Sequence, residues 1–367
     1  MSETLPLTYQ LANLNNRFNT SAFKFTVQTG DEGYYYIEVC AGIQAATPAV
    51  VGVQGGNPKI GLIWRAGSSS NVNSGCRSAI ISLTANDSLS LSLDEGAVYS
   101  DSNLQTSFSA FNLNNFLTLE AYNAIFFGTT NSVNPSAYVC VPFTENIINV
   151  GNAYDPTTGQ YTCPISGYYF TSVSFAVENL TTYSHSKFLF CPKGKKFGYK
   201  YVVGYGETNS TEYNLNSYFI FPYAPRTVSP VFWIAYGSFS LDTTNGQALD
   251  PFPFDDVYAN IYGLFDLDKS MVTITISGYY YIYIRASPLW NMNCVMSLKK
   301  ISNQRVTTLF NINRLNVVTH YYPSGHGAVV QLMAGDQLKV VGEAGSYFYS
   351  DFSRIFTRFF GFLLYSI

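Results

Sequence analysis

The chain has 367 residues, of which 12% are charged and 17% aromatic, and its formal net charge is −3. The apolar content of 47% suffices for a buried core and excludes intrinsic disorder. The small negative charge argues against nucleic acid as the main partner. Abundant Tyr with few Lys and Glu is instead typical of surfaces that contact other proteins.

The start of the chain carries no recognisable targeting segment. Residues 1–25 lack both a basic start and an apolar run, which argues against a signal peptide. No apolar run reaches 18 residues, and the longest candidate, 359–367, is too short to cross a bilayer. No membrane span is therefore predicted.

Strand patterns recur along the chain, whereas helical spacing of apolar residues is almost absent. Residues 88–93 (SLSLSL) and 272–277 (VTITIS) alternate strictly, which predicts half-buried antiparallel strands. Clusters of Asn, Gly, Ser and Pro, at 67–75 and 131–136, indicate connecting loops. The sequence therefore predicts an all-β chain with almost no helix, built as sandwiches or jelly rolls.

One short block occurs three times, as GYYYI at 33–37, GYYFT at 167–171 and GYYYI at 278–282. An aromatic residue lies 24 positions before each block and an asparagine 18 positions before it. These residues are Tyr9, Phe143 and Phe254, and Asn15, Asn149 and Asn260. Such regular spacing indicates three related units in tandem.

The regions after the first and third blocks also match. Residues 79–89 parallel residues 328–338, and each copy closes on an aromatic strand. We therefore predict three domains, at 1–113, 117–228 and 229–367, joined by short linkers near 114–119 and 227–230.

Residues 149–170, NVGNAYDPTTGQYTCPISGYYF, resemble the signature of the C1q globular-head family. The resemblance is clear over 120–180 and 229–367, and over 1–113 it depends on the internal repetition. Copy one lacks the Tyr-Asp-Pro-x-x-Gly stretch, and copy three has 265–268 (FDLD) in its place. The resemblance implies three tandem jelly rolls of the C1q/tumour-necrosis-factor type, a fold that associates as trimers around an axis lined by aromatic side chains.

Each repeated block places aromatic rings on both faces of its strand. One face must fill the sandwich core, and the other needs a partner because an exposed aromatic stripe is a liability. The predicted assembly residues are Tyr34, Tyr35, Tyr36, Tyr168, Tyr169, Phe170, Tyr279, Tyr280, Tyr281, Phe232 and Trp233. Two arrangements stay open at this point, a pseudo-trimer within one chain and a homotrimer of chains.

Copy two has fewer residues after Gly167 than copy three has after Gly278, and the difference amounts to about two strands. Copy one is short at its beginning. A jelly roll that lacks strands exposes unpaired backbone groups. We therefore predict that segments from another domain or from another chain fill both gaps, with Val231–Tyr236 as the best candidate to complete the sheet of copy two.

The chain has no recognisable catalytic motif. It contains three histidines, His185, His320 and His326, without G-x-S-x-G or triad spacing. His320 and His326 flank a stretch that is predicted to be an exposed loop. No catalytic residue, no enzyme activity and no cofactor are therefore predicted.

Metal chemistry has little support in the sequence. None of the six cysteines forms a C-x-x-C pair, which argues against zinc and predicts mostly buried free thiols. The carboxylates Asp255, Asp256, Asp266 and Asp268 are weak calcium candidates, since some C1q-like proteins bind calcium near the trimer axis. Solvated turn carboxylates are the alternative.

Recognition or assembly remains as the function. The first hypothesis is a non-enzymatic structural protein of a large particle, a capsid or virion component that contacts itself and neighbouring proteins. The alternative is a soluble C1q-like recognition protein or lectin of innate defence, extracellular by a route that the sequence does not reveal.

Overall fold

The computed structural model describes residues 3–4, 6–7, 11–13, 16–43, 50–54, 73–99, 106–113, 126–129, 143–162, 169–175, 185–189, 201–205, 215–221, 231–289, 292–314, 324–350 and 357–367. We call residues 3–113 the N-terminal segment, 126–221 the middle segment and 231–367 the C-terminal segment. Almost every described element is a β-strand, as the sequence predicts. In the part of the chain that is described, no helix is long and apolar enough to cross a membrane.

The strands of the N-terminal segment are β1 (Glu3–Thr4), β2 (Phe18–Asn19), β3 (Lys24–Thr26), β4 (Gly33–Ile43), β5 (Val50–Gln54), β6 (Asn73–Leu83), β7 (Ser88–Glu95), β8 (Val98–Tyr99) and β9 (Ser107–Asn112). Strand β4 pairs with β6, β8 and β9, and a second sheet has the order β1-β7-β3-β2 with β5 beside β7. Apolar residues of both sheets form one core, among them Ile37, Leu83 and Leu89.

The strands of the middle segment are β10 (Phe126–Thr129), β11 (Glu145–Asn149), β12 (Tyr154–Asp155), β13 (Gln160–Tyr161), β14 (Tyr169–Phe175), β15 (His185–Leu189), β16 (Tyr201–Tyr205) and β17 (Leu215–Phe221). They form antiparallel pairs, β10 with β11, β12 with β13, β14 with β17 and β15 with β16. A 3₁₀ turn, Val150–Asn152, links β11 to β12.

The strands of the C-terminal segment are β18 (Phe232–Gly237), β19 (Leu241–Asp242), β20 (Asp256–Asn260), β21 (Phe265–Asp266), β22 (Met271–Thr273), β23 (Gly278–Ala286), β24 (Cys294–Ser302), β25 (Arg305–Arg314), β26 (Ser324–Leu332), β27 (Gln337–Gly342), β28 (Tyr347–Phe348) and β29 (Thr357–Ser366). One sheet has the order β20-β18-β29-β23-β26 and the other β21-β22-β27-β24-β25. The core between them contains Trp233, Phe252, Phe348 and Phe359, all fully buried.

In all three segments an asparagine side chain makes the same pair of hydrogen bonds to the backbone of a later residue, and we call this pair of bonds the asparagine bracket. The amide side chains of Asn149 and Asn260 each bond the backbone N–H and C=O of the residue five positions later. In the N-terminal segment Asn13 makes these two bonds to Phe18, at 3.0 and 2.9 Å. The repeat is therefore real, but its first member is Asn13 and not the predicted Asn15, which lies outside the described residues.

A small hairpin follows each bracket. In the three segments a residue pairs with one seven positions later, Phe18 with Phe25, Tyr154 with Tyr161, and Phe265 with Val272. The N-terminal segment thus has the hairpin although it lacks the Tyr-Asp-Pro-x-x-Gly sequence. An Asx turn needs only Asn or Asp at its first position, and Asn19 supplies it, accepting hydrogen bonds from two backbone N–H groups.

The matching sequences 79–89 and 328–338 also fold alike. Asp87 and Asp336 each cap their own turn, because the side-chain carboxylate accepts a hydrogen bond from the backbone N–H of the residue three positions earlier, at 2.7 and 2.9 Å. The residue before each aspartate has a positive φ, 70° at Asn86 and 93° at Gly335, which Asn and Gly tolerate best. The N-terminal and C-terminal segments are therefore copies of one strand-turn-strand plan.

Three strand predictions need correction. Residues Val231–Tyr236 do not complete the middle segment, because β18 pairs with β20 and β29 of its own segment. The ladder within 272–277 ends at Thr273, since Ile274 bonds instead to the turn at Asp336. Strand β7 is not half-exposed either, because Ser90 and Ser92 are buried along with its leucines.

The N-terminal and C-terminal segments nevertheless meet edge to edge at another place. Strand β25 of the C-terminal segment pairs with β6 of the N-terminal segment through Arg314 and Asn73. This pairing joins one sheet of each segment into a nine-stranded sheet. The two segments are therefore connected by backbone hydrogen bonds as well as by side chains.

Candidate functional site

The candidate site is the interface between the N-terminal and C-terminal segments. A cluster of buried aromatic and aliphatic side chains lies there, separate from the core of either sandwich. Its members are Tyr36, Phe111, Phe232, Ile234, Tyr236, Tyr279, Tyr281, Tyr283, Phe360, Phe362 and Leu364. Only the first two belong to the N-terminal segment. We call this set the shared aromatic cluster.

Tyr281 lies at the centre of the shared aromatic cluster. Its ring is 5.9 Å from that of Tyr36 in an edge-to-face contact, 6.1 Å from Phe111 and 5.4 Å from Phe362. Edge-to-face aromatic pairs add about 0.5–1.5 kcal/mol each to the effect of burial alone. The first repeated block and the third therefore meet through equivalent tyrosines.

A buried carboxylate joins the aromatic contacts. Glu38 is 1% exposed, and its Oε2 accepts a 2.8 Å hydrogen bond from the Tyr281 hydroxyl. Leaving a buried acceptor of this kind without a donor costs about 1–3 kcal/mol. The bond between Tyr281 and Glu38 therefore fixes how the two segments register against each other.

Strand β26 approaches the N-terminal segment closely because two of its residues lack side chains. A methyl group on Gly327 would collide with the Glu38 carboxylate and the Tyr281 hydroxyl, and one on Gly325 would collide with Tyr283. The Cys76 Sγ lies 3.0 Å from the Gly325 carbonyl oxygen. Larger residues at either glycine would push the segments apart.

The interface also contains a disulfide that the sequence did not predict. Cys40 and Cys76 are direct cross-strand partners on β4 and β6, and their sulfurs are bonded. The prediction of free thiols is therefore wrong for this pair, because strand pairing brings distant residues within bonding range. Cys294 is buried and forms no disulfide, as predicted, and the remaining three cysteines lie outside the described residues.

His326 bridges the two segments, contrary to the prediction that it lies in an exposed loop. It sits in β26, is fully buried and stacks on Phe310. Its Nδ1 lies 3.1 Å from the Asn311 carbonyl oxygen and so carries the proton. Its Nε2 therefore accepts the 2.7 Å hydrogen bond from the hydroxyl of Ser107 in β9. Burial lowers the pKa of His326 to about 4. His320 lies outside the described residues.

The contact between His326 and Ser107 brings an imidazole and a hydroxyl into the geometry of a general base and a nucleophile. The other ring nitrogen faces a backbone carbonyl, where a hydrolase would orient the ring with a carboxylate. With the ring 0% exposed, this contact joins two strands and gives substrate no access to the imidazole.

Two arginines lie opposite each other on the cluster side of the C-terminal segment. Arg285 and Arg358 are cross-strand partners on β23 and β29, 2% and 3% exposed. The Arg358 guanidinium lies over the Tyr236 ring at 5.8 Å, and burial lowers its pKa. Burial also raises the pKa of the neighbouring Tyr283. The interface is therefore aromatic at its centre and charged at this end.

Strand alternation divides the predicted assembly residues between the two faces. Tyr36, Tyr279, Tyr281 and Phe232 belong to the shared aromatic cluster. Tyr35, Tyr280 and Trp233 instead fill the cores of their own sandwiches, because neighbouring strand residues point to opposite faces. The hydroxyls of Tyr35 and Tyr280 each bond the carbonyl four residues back, both at 2.7 Å.

The remaining predicted assembly residues give less information. Tyr34 is half-buried at the start of β4. Tyr169 and Phe170 lie on β14, and only their backbone is described, where they pair with Phe221 and Ile220. Tyr168 lies outside the described residues.

Two of the predicted calcium carboxylates, Asp266 and Asp268, lie at the turn between β21 and β22, whereas Asp255 and Asp256 lie at the start of β20. Asp255 accepts hydrogen bonds from the backbone and hydroxyl of Ser238, and Asp266 from the backbone and ammonium of Lys269. Asp256 and Asp268 are exposed. Among the described residues, the metal-ligand side chains that do converge are Glu38, Cys40 and Cys76.

The middle segment approaches the same part of the N-terminal segment. Strand β26 lies against β4, β6 and β9, and strand β6 lies against β14 and β17. Strands β6, β17 and β26 are equivalent, since each pairs antiparallel with the Gly-Tyr-Tyr strand of its segment. The strand that pairs with the Gly-Tyr-Tyr strand therefore contacts another segment in two cases, β26 against the N-terminal segment and β6 against the middle segment.

Comparison with known families identifies the chain. The model of the C1q domain matches residues 124–195 and 237–364, more than half of the chain. The chain belongs to the C1q domain family. The first match contains the bracket at Asn149, and the second contains most of the shared aromatic cluster. No curated protein sequence matches this C1q-domain chain.

Solved structures with local similarity include the globular domain of the zebrafish complement 1qA protein. It is 20% identical and is covered completely by 38% of this chain, with a TM-score of 0.31. Murine APRIL at pH 5.0 is 14% identical, with 37% of this chain covering all of it and a TM-score of 0.31. Eiger TNF from S. frugiperda is also 14% identical, with 38% of this chain covering 96% of it and a TM-score of 0.31.

Sequence reasoning missed the polar half of the interface. Glu38, Ser107 and the Cys40–Cys76 pair belong to no motif, and none was singled out. A signal did exist for Glu38 and for His326, the partner of Ser107. Glu38 is the one charged residue in the eleven of β4, and His326 stands between two glycines in β26. A lone charge or histidine in an otherwise apolar strand marks a place where a partner must satisfy it.

Proposed function

We propose that this C1q-domain protein is a non-enzymatic assembly protein whose three segments pack around one another within a single chain. The observation that carries the proposal is the repeated contact of one strand type. Strand β26 packs on the N-terminal segment, and the equivalent β6 packs on the middle segment. A contact of this head-to-tail kind either closes into a ring or continues as a filament.

Three segments and two such contacts favour a closed ring. The third contact would place β17 of the middle segment against β23 and β29 of the C-terminal segment. The chain then forms a pseudo-trimer by itself, and a homotrimer of chains is the competing arrangement. The shared aromatic cluster supports the first, because it already joins the apolar faces of two segments of one chain.

We propose further that this pseudo-trimer is a building block of a large particle, a capsid or virion, in which it contacts neighbouring copies and other proteins. Low charge and a high aromatic content support this role, since both are typical of surfaces buried in assemblies. Its location would be the particle, and it needs no cofactor for this role.

One observation favours the alternative of a soluble extracellular recognition protein. Disulfides persist in oxidising compartments and are rare in the cytosol, and the interface contains the Cys40–Cys76 bond.

Light scattering on the purified full chain tests the ring. A self-contained pseudo-trimer has the mass of one chain, 40.7 kDa. A species of about three times that mass, unchanged on dilution, would contradict it. Mass spectrometry of purified particles and of cell-free fluid from the source organism separates the two roles. Enrichment in particles supports the structural role, and enrichment in the fluid alone would reject it.

A further inference from the structure

The interface contains a group of side chains with the composition of a metal site. Glu38, Cys40 and Cys76 are all buried, and their carboxylate oxygen and two sulfurs lie within 4.8 Å of one another. Sequence spacing gives no sign of this group, because the third residue comes from a different strand.

Strand geometry explains why the three side chains converge. Glu38 and Cys40 are two residues apart on β4 and therefore point to the same face. Cys76 lies directly across from Cys40 on β6. That face is turned to β26, where Cys76 Sγ is 3.0 Å from the Gly325 carbonyl oxygen. The group therefore lies between the two segments and not in the core of either.

The oxidation state of the two cysteines decides what this group can bind. A disulfide carries no charge and leaves Glu38 as the one charged ligand. Reduced, the group becomes two thiols and a carboxylate in a site closed to water. Burying their charged forms together is costly unless a cation neutralises them. Two thiolates and one carboxylate are a ligand set that zinc accepts.

We propose that Glu38, Cys40 and Cys76 form a zinc site when the Cys40–Cys76 disulfide is reduced. A thiol or phosphine reductant first converts the disulfide to two thiols and is itself oxidised. Zn²⁺ then forms two Zn–S bonds and one Zn–O bond, and the two thiol protons pass to solvent. This proposal does not depend on the proposed function.

The fourth ligand has an identifiable source. We assign it to the Gly325 carbonyl oxygen, which lies 3.0 Å from Cys76 Sγ and would complete a four-coordinate site. His326 does not contribute, because its ring nitrogens are engaged with Ser107 and the Asn311 carbonyl. Its side chain also points to the other face of β26, by the alternation of strand residues.

Ligand softness sets which metal binds. Thiolates prefer Zn²⁺ and similar soft ions, whereas calcium and magnesium require oxygen ligands. The site is therefore distinct from the carboxylates at Asp255, Asp256, Asp266 and Asp268. We expect Ca²⁺ to leave it empty even in large excess over the protein.

The experiment measures bound zinc on the full chain in two redox states. The starting protein carries serine at Cys140, Cys163, Cys191 and Cys294, so that only Cys40 and Cys76 remain. It is reduced with a phosphine without oxygen, loaded with Zn²⁺ and desalted. We expect about one zinc per chain when reduced and none when oxidised. Co²⁺ in place of Zn²⁺ should give the charge-transfer bands of tetrahedral thiolate coordination.

Single changes in this background assign the ligands. Cys40→Ser and Cys76→Ser should each remove the cobalt bands. Glu38→Gln should keep them but weaken zinc binding by about tenfold or more. A reduced, folded protein that binds no zinc would overturn the proposal, and so would equal zinc in a Cys40→Ser/Cys76→Ser double variant.

A second measurement covers the case in which the serine background fails to fold. In the reduced, zinc-loaded wild-type chain, EDTA should speed alkylation of Cys40 and Cys76 by iodoacetamide, as mapped by mass spectrometry. Buried Cys294 is the internal control, and its rate should not change. Equal effects of EDTA on all three cysteines, or no effect on any, would contradict a site at Cys40 and Cys76.

Discussion

Strands β4 and β23 begin with the same five residues, and counting from Gly33 and Gly278 sets the two strands in a common register. Tyr36 corresponds to Tyr281, and both lie in the shared aromatic cluster. Two positions on, the chemistry diverges, because Glu38 stands where the C-terminal segment has Tyr283. The cores keep one plan, whereas the faces that meet have become different.

The same divergence continues across the sheets. Cys40 corresponds to Arg285, and Ser107 of β9 corresponds to Arg358 of β29. The N-terminal face carries short side chains where the C-terminal face carries long ones. If two identical faces met, both would carry the same side chains, so one could not have short residues where the other has long ones. The comparison teaches that these segments are shaped for each other and not for self-association.

The largest expected effect comes from emptying the centre of the shared aromatic cluster. Tyr281→Ala removes a fully buried ring and should lower the free energy of unfolding by about 3–5 kcal/mol. Tyr36→Ala removes the ring it contacts. If the cluster is one unit, the double variant should lose less than the sum of the single losses, by about 0.5–3 kcal/mol. Urea unfolding measures both, and strict additivity would reject a shared cluster.

A smaller effect follows from the titration of His326. Its pKa in the folded chain, about 4, lies below the ordinary value of 6.5, so the folded state binds its proton less well than the unfolded state. The stability it provides is therefore present above pH 6.5 and is lost as the pH falls towards 4. The loss amounts to about 3 kcal/mol.

Urea unfolding between pH 7 and pH 4 measures this loss. A His326→Gln variant should flatten the pH profile over that range, because glutamine has no proton to gain. An unchanged profile in this variant would mean that other groups carry the pH dependence.

Much of the fold could be predicted from the sequence because short-range patterns determine it. The Gly-Tyr-Tyr blocks, the Asn149 and Asn260 brackets and the turn aspartates all follow from residues a few positions apart. The spacing of 18 residues between the asparagine and the Gly-Tyr-Tyr block does not hold in the N-terminal segment, and the reason is local. A turn at 28–31, with Gly30 at a φ of 91°, adds two residues between the hairpin and Gly33.

The candidate site could be predicted only in its aromatic part. Tyr281 and Phe232 belong to repeated aromatic strands, so the sequence shows them. Glu38 and His326 meet their partners across more than 200 residues, and no local pattern encodes such pairing. The failed assignment of Val231–Tyr236 to the middle segment has the same origin, since strand pairing depends on tertiary contacts.

Removing one hydroxyl separates the polar contact from the packing. Tyr281→Phe keeps the ring but leaves the Glu38 carboxylate without its 2.8 Å donor. We expect a loss of about 1–3 kcal/mol in thermal or urea unfolding. Tyr280→Phe is the matched control, because its hydroxyl bonds a carbonyl within its own segment. Equal losses of stability in the two variants would mean that the hydrogen bond between Tyr281 and Glu38 contributes no more than one within a single segment.

The smallest expected effects come from the asparagine brackets, the feature that all three segments share. Asn13→Ala, Asn149→Ala and Asn260→Ala each remove two hydrogen bonds of one bracket. Each should cost about 1–2 kcal/mol locally, given about 1 kcal/mol for each net hydrogen bond. Hydrogen exchange at the following hairpin should report it. A bracket whose loss leaves its hairpin protected would not be equivalent to the other two.

The buried pair of Arg285 and Arg358 has a consequence for how such a chain evolves. In a trimer of identical chains, every substitution is present three times, and one facing pair becomes six buried guanidinium groups. In a chain that carries its copies in tandem, the pair is present once, and the corresponding positions of the N-terminal segment hold Cys40 and Ser107. Gene duplication and fusion thereby lower the copy number of a costly residue and allow side chains that a symmetric assembly would reject.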